Sequence, residues 1–162
     1  MSEQENLSTD PDDEGENTQD GKYLTFLIGK ESFGIEIRYV TEINGMQGIT
    51  EVPGMPAHVK GMINLRGKVI PVMDVRLRFG MDERIYDDRT CIIVIDIESQ
   101  PVGLIVDKVL DVLDIPESEI EPIPAMGKGK KNRFIQGVGK VGEQVKLLLS
   151  VDKLLSDEGE NT

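Results

Sequence analysis

Few residues in this chain are suited to specific chemistry. Arg66 stands where an apolar run, Met62 to Leu65, meets a short connection to a second run, Val69 to Met73. A guanidinium is planar, permanently charged, able to stack and able to grip a carboxylate through two nitrogens. Asn64 and Lys68 already make that turn polar, so Arg66 points to a fixed structural or interface role. His58 is the chain's one histidine and Cys91 its one cysteine. Far apart in sequence, they lack the clustering of metal ligands. A His–Cys nucleophile pair is formally open, but Cys91 opens the apolar run C-I-I-V-I and reads as a core residue. Ser32, Ser99, Ser118 and Ser150 have no G-x-S-x-G setting. The carboxylates are scattered over turns and strand ends, with no pair spaced for acid–base work. No enzyme, metal site or cofactor is expected.

Two glycine-rich stretches invite a nucleotide reading. Gly137 to Gly142 spells G-x-G-x-x-G, which binds dinucleotides when it opens a helix after a strand. Here Gln144 to Leu149 follows and reads as a strand, so the motif is a hairpin turn. Met126 to Arg133 is basic and glycine-rich but lacks the Lys-Ser/Thr ending of a phosphate loop, and reads as a solvated loop. Nucleic acid is not an expected partner, because the folded part is near neutral and no aromatics interleave the basic residues.

The chain has 162 residues, 38% hydrophobic and 4% aromatic, with no tryptophan. Its core must therefore be built from Val, Ile, Leu and Met, a composition that favours strands. The formal charge of −12 is concentrated at the ends: residues 1–21 carry eight acidic and no basic residues, and residues 156–162 carry three acidic and no basic ones. Residues 22–155 keep a net charge of −1. We read 1–21 as a disordered acidic tail, 22–155 as the folded unit and 156–162 as an acidic C-terminal tail. No apolar run reaches the ~20 residues of a membrane span. One cysteine excludes an internal disulfide and suits a reducing cytosol.

The elements that position Arg66 belong to an internal repeat. Gly34 to Ile43 aligns with Gly103 to Val112 at an offset of 69, both reading G-aliphatic-x-aliphatic-x-x-V-x-acid-aliphatic. Val59 to Met62 aligns with Ile135 to Val138 at an offset of 76, and each leads through a Gly-bearing turn to a strand. Those strands end at Asp74 and Ser150, cap candidates before short helix-like runs. Each copy gives about five strand signals at the spacing of a small barrel, and the two are expected to pack together. The pattern leaves open which strands build which barrel, since exchange between copies would read the same. Gly67 supplies the positive φ of the Arg66 turn, and Pro71 marks the second strand as an edge or bulged strand. The methionines, five of them around the first copy, fill the core or form an adaptable surface.

The segments G-I-E-I-R-Y-V-T-E-I, V-K-G-M-I-N-L-R-G-K-V-I-P-V-M-D-V-R and V-G-L-I-V-D-K-V-L-D-V-L resemble those of the chemotaxis coupling protein family, CheW. The resemblance covers residues 22–155 and is most specific from Asn64 to Arg76. It implies an all-β fold of two packed five-stranded SH3-like barrels, with short helical turns and a short C-terminal helix. It implies a non-catalytic cytoplasmic adaptor, monomeric when isolated, without direct membrane insertion. Its partners would be the cytoplasmic tip of a chemoreceptor and the regulatory domain of the histidine kinase CheA, within arrays on the inner face of the membrane. The matching binding positions are Val40, Glu42, Gly61, Arg66 and Val112, and Ile43 joins them as an apolar neighbour. Val40, Ile43 and Val112 would receive an amphipathic helix, with Glu42 and Arg66 at the rim. The alternative is a paralogous scaffold in another chemosensory-like pathway such as surface motility.

Overall fold

The structure, a computed structural model, describes residues 20–123 and 130–156. Most of both acidic tails and most of the Gly/Lys stretch at 127–131 lie outside the described residues. The first copy forms β1 (Lys22–Ile28), β2 (Glu31–Glu36), β3 (Val40–Gly45), β4 (Val59–Leu65), β5 (Lys68–Asp74) and α1 (Val75–Arg78). The second forms β6 (Cys91–Ile97), β7 (Gln100–Val106), β8 (Lys108–Asp114), the two-residue β9 (Ile120–Glu121), β10 (Ile135–Val141), β11 (Gln144–Leu149) and α2 (Val151–Leu155).

The two copies exchange their first hairpins. One sheet runs β8-β1-β2-β11-β10-β9 and the other β3-β6-β7-β5-β4, so each barrel joins the leading hairpin of one copy to the remaining strands of the other. The registers repeat with the sequence. Leu24 faces Val112 as Ile93 faces Ile43, and Gly34 faces Leu148 as Gly103 faces Val72. The bulge beside Lys60 on β4 returns beside Gln136 on β10. These are the expected SH3-like barrels, and the first gains a sixth strand, β9.

Hairpin exchange places the largest apolar cluster between the barrels. It takes Phe26, Ile28, Phe33 and Ile35 from one sheet and Ile93, Ile95, Leu104 and Val106 from the other. All four phenylalanines of the chain line up within it, Phe26 to Phe33 to Phe79 to Phe134, with ring centroids 6.1, 5.2 and 5.7 Å apart. Each barrel keeps a smaller cluster of its own, one around Ile63, Ile70 and Ile92, the other around Tyr23, Ile115 and Leu148. Separating the barrels would expose most of the buried apolar surface, so the pair folds as one unit.

Asp74 and Ser150 are the N-caps of α1 and α2, their side chains accepting from Leu77 N and Lys153 N. Buried Arg78 then ties the helices together. It donates through Nε to the Leu154 carbonyl at 2.9 Å and through Nη2 to those of Lys153 and Ser156, with its guanidinium over the Phe134 ring. Carbonyls at the end of α2 thereby gain a cationic donor.

Pro71 corrects one expectation. Strand β5 is interior, between β7 and β4, and Pro71 pairs with Met62 without a bulge at that position. Parallel pairing with β7 begins one residue later, at Val72, so the missing N–H falls outside that ladder. The G-x-G-x-x-G stretch lies on β10 and its turn into β11, as the hairpin reading requires. Met73 and Met81 pack in or against the shared core and Met46 against the second barrel's core, which favours the core-filling reading.

Candidate docking site

Strands β4 and β5 are joined by the two residues Arg66 and Gly67, with φ of 53° and 86°. A two-residue hairpin with both central residues at positive φ matches the twist of the flanking strands. Asn64 Oδ1 accepts from Gly67 N at 2.8 Å and braces the turn. The sequence assigned positive φ to Gly67 alone; the structure adds Arg66. Holding a side-chain-bearing residue there costs about 1 kcal/mol, a strain that persists where the surroundings over-determine it.

That turn aims Arg66 at Glu42 on β3, and the two form an ion pair through Nη2 and Oε2. Strands β3 and β4 are the first and last of the second sheet. The pair therefore spans the mouth of a sheet curled far enough to bring its ends together. The other Glu42 oxygen takes Asn44 Nδ2 at 3.4 Å. Glu42 is 23% exposed and Arg66 72% exposed, so a half-buried carboxylate orients a cation that stands in solvent. A depression of about 350 Å³ lies beside it, lined by Thr41, Leu65, Ile70, Val94 and Pro101 among others. Ile43, next along β3, is exposed.

The remaining predicted site residues do not all join this face. Val40 starts β3 and packs partly against the shared core. Gly61 is buried in β4, and a Cβ there would lie 2.1 Å from the Thr50 carbonyl oxygen. Gly61 thus keeps room for the 46–58 segment that crosses β4 at the reciprocal Thr50–Met62 pairing. Val112 lies on β8 of the other sheet, at the repeat-equivalent position to Ile43. Both are exposed, and so are the repeat-equivalents Val69 and Val145. The barrels therefore present matching apolar positions. Only the second has the ion pair, because Asp111 and Gly142 stand where the first would need Glu42 and Arg66.

Sequence reasoning missed a buried charge centre. Asp107 is the single residue between β7 and β8, where the chain crosses from one barrel to the other. Its Oδ2 accepts from Arg76 Nη1 at 2.6 Å, Gly29 N at 2.7 Å and Arg84 Nη1 at 2.8 Å. It gathers the β1–β2 turn, α1 and the 81–90 loop at one point. Asp74 Oδ2 likewise accepts from Tyr86 Oη at 2.6 Å. Burial, then this hydrogen bond, raises the Tyr86 pKa well above the usual phenol value. The capping position of Asp74 was legible, but not the donors brought from distant segments. His58 is buried and Cys91 half-buried. No group of three His, Cys, Asp or Glu side chains among the described residues could hold a metal, and no helix among them is long and apolar enough to cross a membrane.

The model of the CheW-like domain matches residues 22–159. The chain belongs to the CheW-like family. It is 36% identical to the chemotaxis protein CheW of Klebsiella aerogenes over 137 residues, 85% of this chain and 82% of that one. It is 35% identical to the chemotaxis protein CheW of Rhizobium meliloti over 135 residues, 83% of this chain and 87% of that one. The crystal structure of the scaffolding protein TtCheW from Thermoanaerobacter tengcongensis superposes with a TM-score of 0.79 at 34% identity, covering 88% of this chain and 97% of that chain. CheW-family membership makes the chain a chemotaxis adaptor rather than an enzyme.

Proposed function

We propose that the chain couples the cytoplasmic tips of chemoreceptors to the regulatory domain of the histidine kinase CheA, working in the cytoplasm at receptor arrays. The observation that carries this reading is the Glu42–Arg66 pair across the mouth of the second barrel, beside the depression lined by Leu65, Ile70 and Pro101. An arginine held by one carboxylate, with further N–H donors in solvent, is preorganised to engage a second one. The apolar side chains of that depression supply area that excludes water from the contact. The repeat supports two similar docking faces, since Val112 and Val145 on the first barrel match Ile43 and Val69 on the second. A bridging adaptor needs two faces; an isolated monomer of residues 22–155, with acidic tails at 1–21 and 156–162, would supply them. Val40 and Gly61 act beneath this surface, by shaping β3 and the segment over β4.

Reconstitution tests the reading. The protein, the cognate kinase and a receptor cytoplasmic fragment are combined, and kinase autophosphorylation is followed with and without the protein. The adaptor changes receptor-dependent autophosphorylation and co-sediments with both partners. A protein that binds neither and leaves the rate unchanged removes the proposal.

A further inference from the structure

A separate groove of about 680 Å³ lies on the first barrel. Tyr23, Ile115, Ile120 and Leu148 give it an apolar floor, and Asp20, Glu36 and Glu117 bring carboxylates to it. Tyr23 is only 8% exposed and packs with Ile115 and Leu148. Among the described residues its hydroxyl has no hydrogen-bond partner. Burial raises the Tyr23 pKa, and the Glu36 and Glu117 charges add to this against Arg38. Glu36 is already satisfied by Arg38 Nε at 2.8 Å. Asp20 and Glu117 have no ion-pair partner among the described residues.

A solvent-reaching hydroxyl, the Glu117 carboxylate and Asp20, whose charge Arg38 feels, stand above an apolar floor and define the complement. It is a cation on an aliphatic stem, the stem lying on the floor and the head at the rim. Residues 1–19, which join the groove at Asp20, carry seven acidic and no basic residues. Like charge excludes them as the occupant. We propose that this groove binds a lysine- or arginine-bearing segment of a partner protein. The stem packs on Tyr23, Ile115 and Ile120, the cation sits among the rim carboxylates, and the Tyr23 oxygen accepts one of its N–H bonds. The groove shares no residue with the Arg66 face, so this inference goes beyond the adaptor reading and stands apart from it.

The test is a fluorescence-anisotropy titration of the full-length protein with a labelled peptide of alternating lysine and leucine, at low and at physiological salt. A glutamate–leucine peptide is the control. Tyr23→Phe keeps the ring and removes the hydroxyl, and Glu117→Gln removes one exposed charge. Each weakens binding by about three- to tenfold, while neutralising Asp12 and Asp13 in the N-terminal run leaves it unchanged. Parental affinity in both groove variants overturns the proposal. So does loss of binding from the Asp12 and Asp13 changes alone, which is diffuse attraction to the acidic run. Binding that emerges only once Lys128, Lys130 and Lys131 are replaced by serine assigns the groove to the chain's own basic stretch and overturns it as well.

Discussion

Gly61→Ala separates a surface contact from a packing role. The glycine has a φ of 149°, and an added Cβ would stand 2.1 Å from the Thr50 oxygen and 2.7 Å from its carbonyl carbon. Backbone atoms cannot be approached that closely, so the 46–58 segment must lift from β4. Two hydrogen bonds are then lost, Thr50 N to Met62 O at 2.9 Å and Met62 N to Thr50 O at 2.8 Å. At about 1 kcal/mol net for each, with about 1–3 kcal/mol for strained backbone, the total is about 3–5 kcal/mol. In a chain of this size each kcal/mol lowers Tm by about 2–4 °C, which predicts a fall of about 6–20 °C. Thermal melting by circular dichroism reads the fall, and amide exchange at Thr50 and Met62 reads the lifting. A variant that melts within about 2 °C of the parent, with both amides still protected, refutes the reasoning. Gly61 would then belong to a contact surface after all.

Asp107→Asn removes the charge that holds two arginines and a backbone N–H at the barrel crossover, and should cost about 3–5 kcal/mol in denaturant unfolding. A loss below about 1 kcal/mol would mean that the arginines find other partners without difficulty. Tyr86→Phe alters the alkaline limb of stability. The folded state holds the Tyr86 proton above the ordinary pKa of 10.0, where the unfolded chain releases it. This stabilisation is complete below pH 10 and is lost as pH rises beyond it, so the variant should decline less steeply there than the parent. Parallel Tm curves for the two proteins across that range would contradict the assignment.

Local chemistry was legible where it was local. The caps at Asp74 and Ser150, the hairpin at Gly137 to Gly142 and the repeat itself all depend on residues a few positions apart. Exchange of the leading hairpins was not legible, because repeat-equivalent strands carry the same pattern and either pairing buries the same faces. The Asp107 centre was hidden for a related reason: its donors, from residues 29, 76 and 84, converge only once the crossover is formed. Pro71 misled because a proline is read as a missing rung, whereas here the parallel ladder begins just past it. At the site, motif positions identified Glu42 and Arg66 separately. The residue pair became visible only when the curled sheet brought its first and last strands together.

Arg66→Ala gives the most direct test that the mouth of the second barrel is a docking surface. The pair is largely solvent-exposed on the arginine side, so its loss should cost about 1 kcal/mol or less and shift Tm by no more than about 4 °C. A desolvated interface arginine is worth about 2 kcal/mol or more, so affinity for the kinase regulatory domain or the receptor fragment should fall by about thirtyfold. Titration of the folded variant against each partner, beside its melting curve, makes the comparison. Weakened binding at nearly unchanged Tm is the predicted result; undiminished affinity for both partners would contradict the account.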